Sequence, residues 1–373
     1  MRIAQVVPRG EQTWSGVLTV IVHLATALAR RGHHVEVWQL HDWDPTWYSE
    51  QRTRLAADGV VEVRLTAARR LGRASSVLAE HHAIDVIHLH GAFNRSNTAI
   101  SRALRRPYVF SPHSGYDPVS LRRSSVRKRL YRLLFERTTL ARAAAVVALT
   151  DVEREDCRRF GAVGPFAVIP NGVSVSPDDL DPDAFRKELG IGHDAPLAVF
   201  VGRLDVLRKG LDVLVDAIAE APDWHLALVG PAFRDVDRLE RQVDSAGIED
   251  RVHTVGERHG EQLLETLAAA DVFTLTSRWE GLPMALLEAL SVGTPAIVSR
   301  AVERVVPVHA TGAGWVVGDR ELGDLLRELA GPRHDELRSR RSAARSLARR
   351  YDWDEVAERY ERTYERALTR RRG

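Results

Sequence analysis

Short apolar runs alternate with stretches of helical periodicity along almost the whole chain. Residues 3–7 predict a first strand, and apolar positions recurring every three or four residues over 17–28 predict the helix that follows. The same alternation predicts strands at 35–40, 60–65, 84–89, 108–110, 144–149 and 166–169, with helices at 73–82, 94–104, 120–142 and 151–160. Strands and helices in this order are typical of a parallel sheet covered on both faces.

A second series of the same kind begins after residues 171–196, a link rich in Asp, Pro, Gly and Ser. It predicts strands at 197–201, 225–229, 251–255, 271–276, 296–299 and 314–317, helices at 211–220, 236–246 and 261–269, a helix opening near Leu282, and three final helical stretches. A chain of 373 residues exceeds the usual size of a single core. We therefore predict two α/β domains, over 1–170 and from 171 onward, with a ligand in the cleft between them at the carboxyl ends of the strands.

Composition narrows the functions that fit such a fold. The 53 Lys and Arg residues nearly balance 51 Asp and Glu, and this argues against a dedicated nucleic-acid-binding protein. The single cysteine, Cys157, excludes an intramolecular disulfide and a cysteine-rich zinc site, and fits a reducing cytosol. The chain starts directly with a predicted strand, and no apolar run approaches the ~20 residues of a membrane-spanning helix. We expect a cytoplasmic protein.

The segment 277–290 carries the strongest candidate chemistry. It follows a predicted strand, passes through a loop that contains Glu280, Gly281 and Pro283, and enters a helix. The loop amides and the positive end of the helix favour an anion, and Glu288, about two turns into the helix, would hold a sugar diol beside it. This combination predicts a site for a nucleotide diphosphate joined to a sugar. The alternative is an ordinary strand, loop and helix with two solvated glutamates.

Three basic residues follow the predicted strand at 197–201. Arg203, Arg208 and Lys209 lie on the predicted loop before the next helix, in the same half as the Glu280 loop. Arginine offers a planar fork of donors and lysine a compact charge, and both suit a diphosphate. A solvated basic loop is the alternative, but the position at the carboxyl end of a strand favours a binding site.

In the first half, polar loops follow two predicted strands. Gly16, after Ser15, lets the backbone approach a ligand at a helix start, although the G-x-G-x-x-G dinucleotide fingerprint is missing. His113 and Asp117 follow the strand at 108–110, where each would hydrogen-bond a sugar or acceptor hydroxyl. The alternative for His113 is an ordinary loop histidine.

Two patterns raise the question of a metal. His88 and His90 alternate along one strand, where a role in the core is favoured because no third ligand is evident. Asp-x-Asp occurs at 42/44, 181/183, 235/237 and 352/354, in loops and at helix starts where chance and N-capping explain it. We expect no metal.

The predicted helix at 120–142 is basic and amphipathic. Leu130, Leu133 and Leu134 would face the domain. The exposed basic residues would be Arg122, Arg123, Arg127, Lys128 and Arg129. Such a face fits anionic lipid headgroups at the inner side of a membrane or an anionic acceptor, and it fits an ordinary solvated face equally well.

Taken together, these segments resemble the family-4 retaining glycosyltransferases of the GT-B fold, in which two Rossmann-like domains face a deep cleft. The likeness runs nearly end to end. It is carried by the Gly16 and His113 loops, Ile169-Pro-Asn-Gly-Val173, Val201-Gly-Arg-Leu with Arg208-Lys-Gly, Leu228-Val-Gly230, Glu280 to Glu288, and Tyr351-Asp-Trp-Asp354. The first half is looser, because the family often has two adjacent glycines where this chain has Ser15-Gly16.

The resemblance implies that the acceptor binds the first domain, over 1–170, and the nucleotide sugar binds the second, over 171–352. Residues 353–373 would then cross back onto the first domain. Arg203 and Lys209 would bind the diphosphate and Glu288 the ribose hydroxyls. Glu280, with the amides of Leu282 and Met284, would orient the donor sugar.

The resemblance also implies a reaction centre and no metal. His113 would lie beside the donor sugar, so the implied catalytic residues are His113, Arg203, Lys209 and Glu280. Further donor contacts would come from Gly16, Arg208, Gly256, Gly281 and Ala285, and acceptor contacts from Ser15, His113 and Asp117.

The favoured function is retaining transfer of a hexose from a nucleotide-diphosphate sugar to a hydroxyl of a glycan, a lipid-linked saccharide or a small metabolite, in polysaccharide biosynthesis. Family frequency favours UDP as the nucleotide, with GDP second. Two alternatives are kept. A sugar-nucleotide epimerase of the same fold would turn over without an acceptor, and a catalytically silent membrane-surface scaffold would bind lipid without using a donor.

Overall fold

The protein is described by a computed structural model over residues 1–7, 16–39, 48–64, 83–104, 106–116, 130–174, 179–318, 321–330 and 334–369. The chain divides into two compact units, Met1–Gly172 with Trp353–Gly373, and Val173–Asp352. Sequence analysis had placed the corresponding limits at 170 and 352. Among the helices of the described ranges, none has the length and apolar character needed to cross a membrane.

Parallel strands joined by helices form the first unit. Its described strands are β1 (Arg2–Val6), β2 (His34–Gln39), β3 (Val61–Arg64), β4 (Val86–His90), β5 (Tyr108–Ser111), β6 (Ala145–Ala148) and β7 (Phe166–Val168). Its described helices so far are α1 (Gly16–Arg30), α2 (Tyr48–Ala57), α3 (Arg95–Ala103), α4 (Arg137–Arg142) and α5 (Asp151–Phe160), with a π-helical segment at Arg132–Glu136 before α4. The sheet order is β3-β2-β1-β4-β5-β6-β7, so the direction of strand addition reverses between β1 and β4.

The second unit repeats this plan. Its described strands are β8 (Leu197–Val201), β9 (Leu204–Asp205), β10 (His225–Val229), β11 (Ala232–Arg234), β12 (Val252–Gly256), β13 (Val272–Leu275), β14 (Ala296–Ser299) and β15 (Gly314–Val317). The parallel sheet has the order β12-β10-β8-β13-β14-β15, and β9 pairs with β11 separately. The reversal here falls between β8 and β13.

Helices connect the strands of the second unit. They are α6 (Pro182–Glu188), α7 (Val206–Lys209), α8 (Leu211–Glu220), α9 (Val236–Ala246), α10 (Gly260–Ala269), α11 (Met284–Ser291), α12 (Arg300–Glu303), α13 (Leu322–Leu329) and α14 (His334–Arg349). The α/β class with two Rossmann-like parallel sheets is therefore confirmed.

Three local predictions were wrong. The predicted loop that carries Arg208 and Lys209 is the helical turn α7, and the predicted link contains α6. Asp181 accepts hydrogen bonds from two amides at the start of α6, and Pro182 occupies its first position, so both start signals were present in the sequence. The third concerns Leu130 and Leu134, which were predicted to face the domain and are exposed. Helix α11 begins at Met284, near the predicted start at Leu282, because a residue that precedes proline is biased away from helical backbone angles.

The last helix, α15 (Trp353–Thr369), belongs to the first unit and packs against α1. The Trp353 ring stacks on His23 with 5.6 Å between ring centroids. Burial lowers the pKa of His23 to about 4, so this imidazole is neutral at physiological pH and stacks as an uncharged ring. On β1, Gln5 donates a hydrogen bond to the hydroxyl of Tyr364 in α15.

Replacement of Gly172 by alanine should destabilise the first unit. A Cβ at this position would lie 2.3 Å from Cδ2 of Trp353, so the ring would have to move away from its stacking partner. We expect a loss of about 1–3 kcal/mol, measured as a lower midpoint of thermal unfolding. The control is Gly192→Ala, where a Cβ would meet nothing within 4 Å. Equal effects of the two substitutions would contradict the packing account.

Candidate active site

The two strongest sequence segments of the second unit emerge side by side. Strand β13 pairs directly with β8, with Val272 opposite Ala198 and Phe273 opposite Val199. The basic segment follows β8 and the Glu280 loop follows β13. Because strand order reverses between these two strands, their carboxyl ends form the crevice in which open parallel sheets bind ligands.

A short ion pair forms at this crevice. Nζ of Lys209 lies 2.5 Å from Oε1 of Glu280, and Ser277 Oγ donates to the same oxygen at 2.6 Å. The two charged side chains are 15% and 6% exposed. Burial opposes ionisation of Glu280, but the charges of Lys209 and Arg208 and the two hydrogen bonds together hold its pKa below the usual range. Glu280 is therefore a fixed carboxylate.

Hydrogen bonds tie the two segments together around this pair. Thr276 Oγ1 donates to the carbonyl oxygens of Gly210 at 2.9 Å and Lys209 at 3.2 Å. The Arg278 guanidinium donates to both carboxylate oxygens of Asp212, at 2.8 and 2.9 Å. Gly210 has a φ of +67°, and a Cβ there would lie 2.3 Å from the carbonyl oxygen of Thr276. Glycine is therefore required where α7 meets α8.

The two arginines of the basic segment lie over aromatic rings. The guanidinium carbon of Arg203 is 5.0 Å from the centroid of Phe233, and that of Arg208 is 3.9 Å from the Trp279 ring. Arg203 is exposed. Such cation–π contacts orient a guanidinium without neutralising its charge. Sequence reasoning missed Phe233 and Trp279, because an aromatic residue near a basic one has no diagnostic spacing.

The start of α11 supplies backbone donors. Pro283 occupies its N-cap and makes no side-chain capping hydrogen bond, so the first-turn amides of Met284 and Ala285 are not capped from that position. Leu282 is buried and Gly281 is partly exposed beside it. The N-terminus of a helix in this state favours an anion.

Glu288, inside α11, differs from Glu280 in its electrostatics. Burial raises the pKa of Glu288 to about 7, and among the residues that the structure describes no cation offsets that effect. The two carboxyl groups of one loop and helix thus have pKa shifts of opposite sign, an arrangement found at functional sites. Gly256, another predicted donor contact, ends β12, where its carbonyl oxygen accepts from the Gly230 amide at 2.7 Å.

In the first unit, His113 lies on the loop after β5. Its Nε2 is 2.8 Å from Nδ1 of His90, the last residue of β4. His113 and Ser114 both adopt left-handed backbone angles, with φ of 51° and 60°. Burial lowers the pKa of His113 to about 4. The imidazole is therefore neutral at physiological pH and acts as a hydrogen-bonding group rather than as a cation.

Two buried glutamates, which sequence reasoning missed, hold this loop and its neighbour. Glu153 accepts the amide of Ser114 at 2.5 Å and that of Leu149 at 2.7 Å. Glu136 accepts the amide of Phe93 at 2.8 Å, in the loop after β4. The sequence did contain a hint for Glu153, because it lies three residues after Thr150, which caps α5.

The remaining predicted residues have other surroundings or are not described. Gly16 begins α1, and a Cβ there would meet nothing within 4 Å. Ser15, Asp117 and the basic residues at 122–129 lie outside the described residues. His88 and His90 are buried in the core, as sequence analysis favoured. Within the described ranges, no group of three His, Cys, Asp or Glu side chains is placed to hold a metal ion.

Family models match both halves of the chain. The model for group 1 glycosyl transferases matches residues 181–345, and that for a glycosyl transferase 4-like domain matches residues 15–172.

Several curated relatives match almost the full chain. A D-inositol 3-phosphate glycosyltransferase of Xylanimonas cellulosilytica is 31% identical over 95% of this chain and 93% of its own. A GDP-mannose:cellobiosyl-diphosphopolyprenol alpha-mannosyltransferase of Xanthomonas campestris is 27% identical over 99% of this chain and 97% of its own. A phosphatidyl-myo-inositol mannosyltransferase of Mycobacterium tuberculosis is 29% identical over 98% of this chain and 97% of its own.

Solved structures share the fold. Sucrose-phosphate synthase from Thermosynechococcus elongatus superimposes with a TM-score of 0.79 at 23% identity, covering 99% of both chains. Anabaena HepE in complex with UDP and glucose gives a TM-score of 0.77 at 21% identity, covering 97% of this chain and 99% of that one. The fold shared with these neighbours is GT-B.

The partly buried Glu288 should make stability depend on pH. Its pKa is raised from 4.5 to about 7 in the folded protein, so the stability that the protonated form contributes is present in full below pH 4.5 and is lost as pH rises through about 7. The loss should be on the order of 1–3 kcal/mol. Glu288→Gln, which keeps the neutral shape, should therefore raise the unfolding midpoint at pH 8 much more than at pH 5. The exposed Glu240→Gln on α9 is the control, and a shift independent of pH would contradict this account.

Proposed function

The chain belongs to the family-4 glycosyltransferases of the GT-B fold, and from that premise we propose that it transfers a hexose from a nucleotide-diphosphate sugar, with retention, to a hydroxyl of a glycan, lipid-linked saccharide or small metabolite. The observation that carries the proposal is the Lys209–Glu280 pair, 2.5 Å apart at the strand reversal between β8 and β13. It places a cation, a fixed carboxylate and a helix N-terminus at one ligand-binding edge.

The diphosphate would bind the positive groups at this edge. Lys209 has three N–H donors, of which the bond to Glu280 uses one, so the others can face phosphate oxygens. Arg203 adds a guanidinium fork on the segment after β8, and the first-turn amides of α11 add backbone donors. These groups supply the positive charge that a divalent cation supplies elsewhere, so we propose that the reaction needs no metal.

The two glutamates would divide the sugar contacts between them. Both described hydrogen bonds to Glu280 use Oε1, and Oε2 would accept a hydroxyl of the transferred sugar. Glu288 would accept hydrogen bonds from the two ribose hydroxyls of the nucleotide. Hydrogen bonds from a diol favour the ionised carboxylate, so donor binding would lower the raised pKa of Glu288.

Charge separation in the transition state then explains the catalytic roles. As the bond between the anomeric carbon and the diphosphate oxygen breaks, its electron pair leaves with phosphate and positive charge develops on the sugar. Fixed cations at Lys209 and Arg203 stabilise the leaving group. The acceptor hydroxyl would attack from the same face and give its proton to the departing phosphate oxygen. Neutral His113 would hydrogen-bond a sugar or acceptor hydroxyl at the reaction centre.

The names of the relatives suggest which donors and acceptors to test first. The Xanthomonas relative is named for GDP-mannose, so GDP-mannose stands beside the UDP-sugars favoured by family frequency. The acceptors in the names of the three relatives are a saccharide-diphosphopolyprenol, an inositol phosphate and a phosphatidylinositol. All three carry phosphate, and we therefore propose a phosphate-bearing acceptor.

Binding of nucleotides tests the donor site before any acceptor is known. UDP, GDP, ADP, TDP and their sugars would be compared by thermal shift, with and without EDTA, on wild type and Glu288→Ala. We expect one nucleotide to raise the unfolding midpoint, with no effect of EDTA and a smaller rise in the variant. The preferred donor would then be assayed with phosphate-bearing acceptors. Turnover to a new nucleotide sugar without acceptor would support an epimerase, and the absence of any stabilisation would support a silent scaffold.

Arg203→Gln should lower the transfer rate, because it removes a cation from the leaving diphosphate. We expect kcat/KM to fall about 10²–10³-fold. Arg234→Gln is the matched control, since its guanidinium lies 4.9 Å from the centroid of the same Phe233 ring that Arg203 covers at 5.0 Å. Arg234 is the last residue of β11 and lies outside the basic segment, so its loss should change kcat/KM by less than about threefold. Equal losses in the two variants would assign the effect to Phe233 packing.

A further inference from the structure

An unbroken chain of buried hydrogen bonds connects His113 to strand β1 and to the last helix. It joins six side chains through ring nitrogens, an amide and hydroxyls, in the order His113, His90, Gln5, Tyr364, His88 and Ser111. We propose that Gln5 is a positioning residue that decides which ring nitrogen of His113 carries the proton. The catalytic consequence rests on the function proposed above, whereas the tautomer of His113 does not.

Gln5 and His90 are enclosed in the protein interior and contact each other. Both are fully buried, on the adjacent parallel strands β1 and β4. Nε2 of His90 lies 2.7 Å from Oε1 of Gln5, and Nδ1 of His90 lies 2.8 Å from Nε2 of His113. Each ring nitrogen of His90 is therefore committed to one partner within the protein.

Because the imidazoles are neutral, each hydrogen bond of the chain has a defined donor and a defined acceptor. Burial is the first cause that lowers the pKa of His90 and His113, and neighbouring imidazoles lower that of His90 further. A neutral imidazole has one N–H and one lone pair. The carbonyl oxygen of Gln5 only accepts, so His90 carries its proton on Nε2 and its Nδ1 accepts. His113 must then donate from Nε2, and its own Nδ1 presents a lone pair.

The other arm of the chain runs from the amide of Gln5 to Ser111. Its Nε2 donates to the Tyr364 hydroxyl at 3.1 Å, and that hydroxyl lies 2.8 Å from Nδ1 of His88. Nε2 of His88 lies 2.8 Å from Ser111 Oγ. If the amide turned over, each donor and acceptor along the chain would exchange roles and the proton of His113 would move to Nδ1. The tautomer of His113 therefore follows the amide of Gln5.

The tautomer matters because it decides what His113 offers to a ligand. With the proton on Nε2, Nδ1 accepts a hydrogen bond from a sugar or acceptor hydroxyl, and this leaves the oxygen lone pairs of that hydroxyl available. With the proton on Nδ1, His113 would instead donate to that oxygen and occupy one of the lone pairs. The first arrangement orients an acceptor hydroxyl with its attacking lone pair free, until its proton passes from the hydrogen bond with Nδ1 to the departing phosphate oxygen. The second arrangement occupies a lone pair and hinders attack on the anomeric carbon.

Three variants test the assignment. Gln5→Met has a similar volume and no hydrogen-bonding group, so both tautomers of His113 should be populated. Gln5→Glu replaces the amide by a carboxylate that favours a proton on each nitrogen of His90, and His113 should then accept at Nε2 and carry its proton on Nδ1. Tyr364→Phe removes only the hydroxyl that accepts the hydrogen bond from the Gln5 amide. It tests the proposal if the first two variants fail to fold. Gln39→Met is the control, since Gln39 is buried on the neighbouring strand β2 and pairs with Glu62.

The first readout is spectroscopic and needs no substrate. Two-bond ¹H–¹⁵N spectra of histidine-labelled protein distinguish protonated from unprotonated ring nitrogens, and comparison with His113→Asn assigns the signals of His113. We expect protonated Nε2 in wild type and Gln39→Met, protonated Nδ1 in Gln5→Glu, and a mixture in Gln5→Met and Tyr364→Phe. Retention of the wild-type tautomer in the folded Gln5 variants, or in Tyr364→Phe where they do not fold, would overturn the proposal.

The second readout connects the tautomer to transfer. With the preferred donor and acceptor, kcat should fall about 10-fold in Gln5→Met and further in Gln5→Glu, while nucleotide affinity, a property of the other unit, stays unchanged. A uniform loss of nucleotide binding and rate would indicate a structural role and overturn the assignment. If the protein transfers no sugar, the spectra still decide the tautomer, so failure of the proposed function is distinguishable from failure of this inference.

Discussion

Both units of this protein depend on stabilising charged and polar side chains that are removed from water. In the second unit, the Glu280 carboxylate with 6% exposure remains ionised because an ammonium and a hydroxyl meet the same oxygen and the charge of Arg208 adds to their effect. Removing either partner of such a pair costs more than the pair contributes, because the other charge is left buried. The pair is thus held in one geometry, at the reversal of strand order where open parallel sheets bind ligands.

The contrast between Glu280 and Glu288 follows from the same physics. Glu280 has cations beside it and its pKa falls, whereas Glu288 has none and its pKa rises to about 7. Because burial opposes its ionisation, Glu288 lowers stability at neutral pH. Under the proposed function, hydrogen bonds from a diol would favour the ionised form and offset this cost.

At the centre of the first unit, neutral polar side chains form hydrogen bonds with one another. His88, His90 and Gln5 are fully buried, and their hydrogen bonds run through one continuous chain to Tyr364. Buried carboxylates lie elsewhere in this unit, as at Glu153 on α5, which accepts the amide of Ser114 beside the left-handed turn at His113. Backbone strain of this kind persists where surrounding contacts over-determine it, and it concentrates at functional sites. This family-4 glycosyltransferase thus has a buried ion pair in its second unit and a neutral chain of hydrogen bonds in its first.

The sequence by itself determined the class of fold and the positions of most strands, because apolar periodicity reports burial directly. It also predicted a sugar-nucleotide site at Arg203, Lys209, Glu280 and Glu288, because glycines, a helix start and charged side chains follow strand ends there. It predicted a loop where α7 lies and missed α6. At α6, the helix-start signals of Asp181 and Pro182 outweighed a composition that is typical of a link. Tertiary structure alone decided that Lys209 meets Glu280, 71 residues apart in sequence, and that Gln5 reaches Tyr364. Such contacts depend on which strands become neighbours in a sheet, and hydrophobic patterning within a segment carries no information about its neighbours.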